Sequence, residues 1–380
     1  MKLLIDENIP FADAFFSELG AIERFAGREL KPEQLKDADA LLVRSITKVN
    51  EALLAHANRL KFVGTATIGV DHIDKPLLKA RNIDFSSAPG CNAISVAEYV
   101  ISALLVLSER YQFDFRDKTV GIVGVGNIGR ALKAKLEALG VRLLLVDPFR
   151  AREEAHGEAF HSLERVLQDA DIITLHTPLT VEGPDTTFHL LNETNLELLK
   201  DDVCLINACR GEVIDNQALL RHVQARRAAN RTSIKLVLDV WENEPEPLQA
   251  LLPFTDIATA HIAGYSLEGK SRGTEILYQK LCQVFGQDAT LELASLLPTA
   301  EVTKLNLTGE TFELSVLKQI THLVYDARRD DALFRYHLNG QGFDWLRKNY
   351  PIRREWSSLQ LDLEKKSSKS IDFSQLGFAI

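Results

Sequence analysis

The most constraining feature of the sequence is a glycine-rich turn between an apolar run and an amphipathic helix. The apolar run covers residues 119–123, the turn reads Gly-Val-Gly-Asn-Ile-Gly over residues 124–129, and a helical pattern follows to residue 139. A second apolar run at residues 142–146 ends at Asp147. This order predicts a βαβ unit with two parallel strands and a helix packed closely on the sheet.

Short apolar runs alternate with longer helical patterns along most of the chain, which is typical of parallel α/β sheets. The runs lie at residues 2–5, 40–43, 62–63, 119–123, 142–146, 172–175, 204–206 and 235–238. Because one small sheet does not need so many strands, we expect two α/β lobes. Apolar residues recur at helical spacing over 95–110, after a turn-rich segment, which predicts a helix that bridges the lobes and a boundary near residue 95.

The alternation loosens from about residue 287, where residues 311–328 are predicted to form one long helix. We therefore expect an appended domain over residues 287–380. The predicted fold class is α/β, with two doubly wound parallel-sheet lobes and a C-terminal α+β domain. The first lobe is predicted at residues 1–95 with 260–286, and the second, of Rossmann type, at residues 96–259.

Composition excludes several classes of partner. The 380 residues include 44 Lys and Arg against 53 Asp and Glu, a net charge of −9 that disfavours nucleic acid and anionic membrane surfaces. Four cysteines are too sparse for a disulfide framework. The amino terminus becomes acidic after three apolar residues, and no apolar run is long enough to span a membrane. These features predict a cytoplasmic protein.

Each glycine of the turn has its own expected task. Gly124 permits the tight turn, Gly126 removes the side chain where a pyrophosphate approaches, and Gly129 lets helix and strand pack closely. The first N–H groups of the helix are suited to phosphates. The alternative is a glycine-rich turn that binds no ligand. We interpret the turn as a dinucleotide site with these cofactor-binding residues: Gly124, Gly126, Asn127, Ile128 and Gly129.

Asp147 follows Gly124 by about 20 residues, the spacing at which a carboxylate accepts hydrogen bonds from an adenosine ribose. A carboxylate there would repel a 2′-phosphate, so the sequence predicts NAD in preference to NADP. The alternative for Asp147 is a turn residue that ends the strand before Pro148.

Three further segments that follow predicted strands carry groups suited to hydride chemistry. Arg210 follows the run at 204–206, and its guanidinium fork matches the carboxylate and C2 oxygen of a hydroxy acid. His261 is a candidate base for the hydroxyl proton, because an imidazole changes charge near neutral pH. A carboxylate on its other nitrogen would orient the ring, and we favour Glu244 over Glu242 for that role.

Five sequence blocks resemble the D-isomer-specific 2-hydroxyacid dehydrogenases, in the same order and at similar spacing: GVGNIG, LHTPL, INACRGEVIDNQAL, LDVWENEPEP and TAHIAGYS. The resemblance implies an NAD-dependent oxidoreductase with Arg210, Glu244 and His261 as catalytic residues. It also implies further cofactor-binding residues: Thr177, Ala208, Cys209, Arg210, Asp239 and Gly264.

Other segments are similar to one branch of that family over nearly the whole chain: LIDENIP, VRS, FVGTAT, SAPGCN, GYSLEGK, LVYD and REWSSL. This resemblance implies a small phosphorylated 2-hydroxy acid as substrate, in vitamin B6 biosynthesis. It implies that Ser45, Thr67 and Tyr265 contact the substrate and that residues 287–380 mediate homodimerisation. The alternatives are another family member, such as a 3-phosphoglycerate dehydrogenase, or a non-enzymatic NADH-sensing corepressor.

A substrate phosphate needs cationic partners, which an acidic chain must supply locally. Arg44, beside Ser45, is the first candidate for this task. Arg353 and Arg354 are candidates in the tail, with an ordinary solvated charge pair as the alternative. No metal site is predicted, and Cys209 is interpreted as a small apolar side chain, since hydride transfer needs no nucleophile.

Overall fold

The computed structural model describes residues 1–153, 159–309, 312–364 and 371–380. The strands are β1 Lys2–Asp6, β2 Ala21–Phe25, β3 Ala40–Val43, β4 Phe62–Thr65, β5 Asp84–Ser86, β6 Thr119–Val123, β7 Arg142–Val146, β8 Ile172–Leu175, β9 Cys204–Asn207, β10 Lys235–Leu238, β11 Ile257–Ala258, β12 Lys304–Leu307 and β13 Gln360–Leu363. All eight apolar runs of the sequence lie on strands, so that part of the prediction is confirmed.

The helices are α1 Ala12–Phe16, α2 Lys75–Ala80, α3 Ala93–Tyr111, α4 Asn127–Ala138, α5 Pro148–Arg152, α6 Leu163–Asp169, α7 Glu193–Leu196, α8 Asn216–Ala228, α9 Leu267–Phe285, α10 Leu314–Val324, α11 Ala327–Gln341, α12 Phe343–Lys348 and α13 Phe373–Leu376. Short 3₁₀ turns lie at Pro32–Leu35, Leu53–His56, Phe115–Asp117, Gly211–Val213, Gln249–Phe254, Leu293–Ser295 and Trp356–Ser358. No helix of the described residues is both long and apolar enough to cross a membrane.

The chain forms two compact units, the first from residues 1–92 and 266–299. Its sheet has the order β2-β1-β3-β4-β5, and all the pairings are parallel. Helix α9 packs on one face of this sheet, where its Leu277 and Tyr278 are buried with Phe15 and Phe16 of α1. Helix α9 thus completes the core of the first unit, as expected from the prediction that residues 260–286 belong to the first lobe.

The second unit comprises residues 93–265 and 300–380. Its sheet has the order β11-β10-β9-β8-β6-β7, again entirely parallel. The carboxyl ends of parallel strands meet at one edge of the sheet, where ligands of open α/β sheets bind. The loops after β6, β8, β9, β10 and β11 therefore share this edge, which we call the carboxyl edge.

Helix α3 belongs to the second unit and is buried along most of its length. It packs against α4 and, through Tyr99 and Ser102, against the C-terminal segment around Tyr325. Trp356 and Phe373 of that segment share a hydrophobic core with α3 and α4. For this reason, residues 300–380 form one compact unit with the Rossmann-type sheet, and the predicted domain boundary at residue 287 stays a prediction.

The predicted single helix over 311–328 is wrong, and its first residue lies outside the described residues. Helix α10 ends at Val324, because Tyr325 is extended and buries its ring. Asp326 then caps a new helix, α11, by accepting a hydrogen bond from the Arg328 amide. The two strands of the C-terminal segment, β12 and β13, pair in parallel.

Candidate active site

The glycine-rich turn between β6 and α4 has the geometry of a phosphate cradle. Gly124 has a φ of 91°, and a side chain there would clash with the His176 carbonyl oxygen at 2.6 Å. A Cβ on Gly129 would lie 2.1 Å from the Gly124 oxygen, so helix and turn touch directly. A Cβ on Gly126 would meet nothing within 4 Å. The open side of the turn is therefore free for a ligand, and Asn127 and Ile128 begin the helix beside it.

Asp147 follows β7 at the next position along the carboxyl edge. One of its carboxylate oxygens accepts a hydrogen bond from the Val125 amide at 2.9 Å, and the other caps α5 through the Arg150 amide at 3.1 Å. The carboxylate thus ties the glycine turn to β7. Each oxygen keeps further lone-pair capacity for a ribose hydroxyl.

A cavity of about 400 Å³ opens along this part of the edge. Gly124, Asp147 and Thr177 line it, together with apolar side chains such as Val146 and Leu190. Apolar walls with a few convergent polar groups are typical of small-molecule sites. These residues fit the adenosine half of a dinucleotide, which needs an apolar slot for the base and a carboxylate for the ribose.

The loop after β9 carries Arg210. Its Nη1 donates to the Cys209 carbonyl at 2.7 Å, and its side chain is half-buried. The next residue, Gly211, lies so close to the following loop that a Cβ would fall 1.9 Å from the Trp241 carbonyl carbon. Only glycine fits there, and this contact seats the Arg210 loop directly against the loop that carries Glu244.

His261 and Glu244 form a hydrogen-bonded pair at the end of the carboxyl edge that β10 and β11 form. His261 Nδ1 lies 2.9 Å from Glu244 Oε2, with the imidazole about one third exposed. The backbone of His261 has a φ of 56°, a strained value for a non-glycine residue. Its amide donates to the Asp239 carbonyl at 2.7 Å, which helps to hold this conformation.

Glu244 is held in its charged form. Burial acts to raise the pKa of its carboxyl, but His261, Arg347 and the Trp241 amide outweigh burial, so the pKa is lowered. Since a carboxylate only accepts hydrogen bonds, His261 Nδ1 carries the hydrogen between them. The Nε2 atom of the neutral ring is then left with its lone pair.

Glu242, the alternative partner of His261, has a different task. Its Oε1 lies 2.6 Å from His189 Nε2, and its Oε2 accepts from the Asn216 amide at 2.7 Å. Glu242 therefore fastens its loop to the start of α8. The sequence preference for Glu244 agrees with this geometry.

Asp239 is a buried carboxylate beneath the His261 loop. It accepts hydrogen bonds from the Thr259 hydroxyl at 2.6 Å and from the amides of Ile262 and Ala263 at 2.8 and 3.0 Å. Burial raises the pKa of Asp239 despite these bonds and the nearby His261. These contacts make Asp239 a positioning residue for the loop, while its predicted contact with the cofactor stays a prediction.

Cys209 and Thr177 lie together at the ends of β9 and β8, with Thr177 Oγ1 4.0 Å from the sulfur. Burial raises the pKa of the Cys209 thiol, which keeps it protonated and unreactive. The adjoining Ala208 is buried, and Gly264 lies in the loop after His261. All of these predicted cofactor residues belong to the second unit.

Three of the predicted substrate residues belong to the first unit. Arg44 and Ser45 follow β3, and Thr67 follows the neighbouring strand β4, so they share one edge of that sheet. The Thr67 hydroxyl donates to the Gly69 carbonyl at 3.0 Å and lies 2.8 Å from the Thr65 hydroxyl. Asp6 at the end of β1 is buried on the same edge, and Arg44 acts to lower the pKa that burial raises.

The C-terminal segment reaches the His261 loop through residues that sequence reasoning missed or assigned differently. Arg353 is 1% exposed and donates to the carbonyls of Ala263 at 2.9 Å and Ser95 at 2.6 Å. It is therefore neither a phosphate ligand nor part of a solvated charge pair. Arg347 donates to the Tyr265 hydroxyl at 3.1 Å. No local motif marks Arg347, because only folding brings it to residue 265.

Comparisons with known proteins agree with this geometry. Residues 105–263 match the family described as "D-isomer specific 2-hydroxyacid dehydrogenase, NAD binding domain", and residues 296–377 match a domain of unknown function. A D-lactate dehydrogenase from Aquifex aeolicus, solved with NAD and lactic acid, is 26% identical with a TM-score of 0.59. It covers 75% of this chain and 96% of its own.

Two curated relatives match along the full length. Erythronate-4-phosphate dehydrogenase of Tolumonas auensis is 50% identical, over 100% of this chain and 99% of the relative. That of Proteus mirabilis is 52% identical, with the same two coverages. The cofactor is NAD, as the matched NAD-binding domain and the acidic residue after β7 indicate. The chain belongs to the D-isomer specific 2-hydroxyacid dehydrogenases and, within them, to the erythronate-4-phosphate dehydrogenases.

Proposed function

We propose that the protein oxidises 4-phospho-D-erythronate to 2-oxo-3-hydroxy-4-phosphobutanoate, with transfer of hydride to NAD, in the biosynthesis of pyridoxal 5′-phosphate. The observation that carries this proposal is the His261–Glu244 pair at 2.9 Å, on the same sheet edge as Arg210 and the glycine turn. Full-length relatives named erythronate-4-phosphate dehydrogenase support the choice of substrate.

His261 is the proposed general base. With Nδ1 hydrogen-bonded to Glu244, its Nε2 lone pair is available to take the proton of the C2 hydroxyl. As the imidazole becomes positive, the Glu244 carboxylate stabilises it without accepting the proton. In the reverse direction, the same imidazolium returns the proton to the carbonyl oxygen.

Arg210 is the proposed ligand of the substrate carboxylate and C2 oxygen. Its guanidinium is charged at any working pH and presents a fork that matches two oxygens. The Gly211 contact with Trp241 keeps this fork in a fixed relation to Glu244. Gly124, Gly126, Gly129, Asp147 and Thr177 would hold NAD, which supplies the hydride acceptor when bound.

Arg44, Ser45, Thr67 and Tyr265 are proposed substrate-binding residues. Support for Arg44 and Ser45 comes from their place after β3, where ligands of parallel sheets bind. Substitution of Arg44 by Ala should raise the KM for the phosphorylated acid more than for its unphosphorylated analogue. Equal effects on the two acids would contradict this role for Arg44.

We also propose that the protein acts in the cytoplasm as a homodimer formed through residues 287–380. The four cysteines are free and buried, which suits a reducing compartment. Tyr336, Trp345 and Ile352 are exposed apolar residues of this segment. Light scattering of the full-length chain should give the mass of a dimer. A monomeric full-length chain would contradict the proposal.

The direct test is NADH formation by the purified protein with NAD and 4-phospho-D-erythronate, followed by ultraviolet absorbance. We expect turnover with this acid and much less with 3-phosphoglycerate. Higher activity with 3-phosphoglycerate would favour the other family member. NADH binding without turnover on either acid would favour a corepressor.

A further inference from the structure

Helix α12 of the C-terminal segment presents Arg347 to the catalytic loop. Phe343 and Leu346 of this helix are buried in the same core as Phe334 and Ala260, the residue before His261. Because these apolar contacts fix both ends of the short helix, the position of Arg347 follows from them. The side chain is half-buried, so it does not extend freely into solvent.

Tyr265 orients the Arg347 guanidinium. Arg347 Nε donates to the tyrosine hydroxyl at 3.1 Å, and the guanidinium lies 5.6 Å from the centre of the ring. Tyr350 packs edge-on against the same ring, with centroids 5.8 Å apart. The Nε atom is therefore committed to the protein, and the guanidinium lies against the Tyr265 ring, which Tyr350 in turn contacts.

The two terminal nitrogens of Arg347 are the part that remains for a ligand. Within the described ranges, no hydrogen bond to protein uses either of them, and neither is among the buried polar atoms that lack a partner. Arg353 differs, since both of its terminal nitrogens donate to backbone carbonyls in the core. Of these two arginines, Arg347 is the one that can offer a fork to an anion.

The surroundings keep Arg347 positive at the catalytic end of the site. Burial acts to lower the pKa of the guanidinium, but Tyr265 and Glu244 outweigh it and raise the pKa. The same charge helps to lower the pKa of Glu244, so the guanidinium and the catalytic carboxylate lie within electrostatic reach of each other. Arg347 thus places a second guanidinium against the loop that runs from His261 to Tyr265, in addition to Arg210 on the loop after β9.

We propose that Arg347 binds the phosphate group of the substrate through its terminal nitrogens, with Tyr265 as the residue that aims them. The inference rests on the proposed function, in which Arg210 is occupied by the carboxylate end of the same molecule. A phosphate carries oxygens that match a guanidinium fork bidentately. Arg347 lies outside residues 105–263, the match to the NAD-binding domain, so the C-terminal segment would supply selectivity for the phosphorylated acid.

The test compares Arg347→Gln and Arg347→Lys with Lys348→Gln, a neighbouring exposed cation, as the matched control. The kcat/KM is measured for 4-phospho-D-erythronate and for D-erythronate, and inhibition by inorganic phosphate is measured alongside. We expect Arg347→Gln to lower kcat/KM for the phosphorylated acid about 30-fold or more, as for a lost hydrogen-bonded charge. Activity on D-erythronate should fall clearly less than activity on the phosphorylated acid, and inhibition by phosphate should weaken.

Arg347→Lys should recover part of the loss, since it keeps the charge without the fork. Equal losses on both acids in Arg347→Gln and Arg347→Lys would overturn the inference, as would unchanged inhibition by phosphate. The melting temperature of each variant shows whether it is folded. If Arg347→Gln has a folding defect, the comparison of the two acids is made with Arg347→Lys. Failure of the wild type on both acids would instead contradict the proposed function, so the two failures are distinguishable.

Discussion

The two ends of the carboxyl edge in the second unit are built in different ways. The glycine turn, its helix and Asp147 come from one stretch of about 30 residues, and the Asp147 carboxylate accepts a hydrogen bond from the Val125 amide of the same stretch. Arg210, Glu244 and His261 lie in the loops that follow three different strands. Arg347 and Arg353 of the C-terminal segment contact the loop that begins at His261. The proposed phosphate cradle is therefore built mainly within one short stretch, whereas the proposed catalytic groups are brought together from distant parts of the chain.

The largest effect should come from removing the general base. His261→Ala is expected to lower kcat by about 1,000-fold or more, within the range for lost acid–base catalysis. Because the glycine turn lies at the other end of the edge, the affinity for NADH, measured by fluorescence titration, should stay within about threefold. Near-normal turnover would refute the role of His261. A large loss of NADH affinity would show that the two ends are not independent.

Glu244→Gln should have the next largest effect, about 100-fold on kcat. The amide keeps a hydrogen-bond acceptor but loses the charge that stabilises the imidazolium. Wild-type oxidation should slow as the pH falls, because protonated His261 cannot accept a proton. Glu242→Gln is the matched control and should leave kcat, measured by NADH absorbance, close to the wild-type value. A Glu244→Gln variant with near-normal kcat would contradict the role of Glu244.

Two glycines of the turn should separate binding from folding. Gly126→Ala places a methyl group in open space, so the protein should fold normally while its affinity for NAD falls about tenfold. Gly129→Ala places a methyl group against the Gly124 oxygen and should destabilise the fold by about 2 kcal/mol. Isothermal titration and thermal melting check the two effects. If Gly126→Ala kept full affinity, the cradle assignment would be wrong.

The most gradual effect concerns Glu98 of α3, which is buried against the C-terminal segment and accepts a hydrogen bond from the Trp356 amide at 3.1 Å. Burial raises its pKa to about 8, despite nearby Lys135 and Arg353. The folded state thus holds a proton that the unfolded state releases above its usual value of 4.5. The free energy of unfolding should therefore fall as the pH rises between these values, by about 1.4 kcal/mol per pH unit at most.

Glu98→Gln should flatten that decline, because the amide does not ionise. Denaturant unfolding at several pH values measures the slope for both proteins. A wild-type slope equal to that of the variant would contradict the buried protonation. Since Glu98 lies far along the chain from Trp356, this experiment also tests how much the contact between α3 and the C-terminal segment contributes to the free energy of unfolding.

Much of the fold was predictable from sequence because a short apolar run marks each buried strand. Each apolar run became a strand, and the tasks predicted for Gly124, Gly126 and Gly129 match the space around each residue. The preference for Glu244 over Glu242 also agrees with the hydrogen bonds of both residues. In contrast, the prediction of one long helix in the C-terminal segment was wrong at Tyr325. The burial of this residue against α3 interrupts the helix, and helical periodicity in the sequence does not reveal it.

The sequence by itself determined the parallel α/β class, the glycine-rich turn proposed to bind NAD and the residue types of the proposed catalytic trio. Those properties depend on residue spacing, on glycines and on ionisable groups placed after strands, and each of these features lies within a short segment of the sequence. Only the tertiary structure decided that Arg353 is a buried support of the His261 loop and that Arg347 faces Tyr265. The physical reason is that a charged side chain takes its task from its burial and its partners, and both are set by residues far away in the chain.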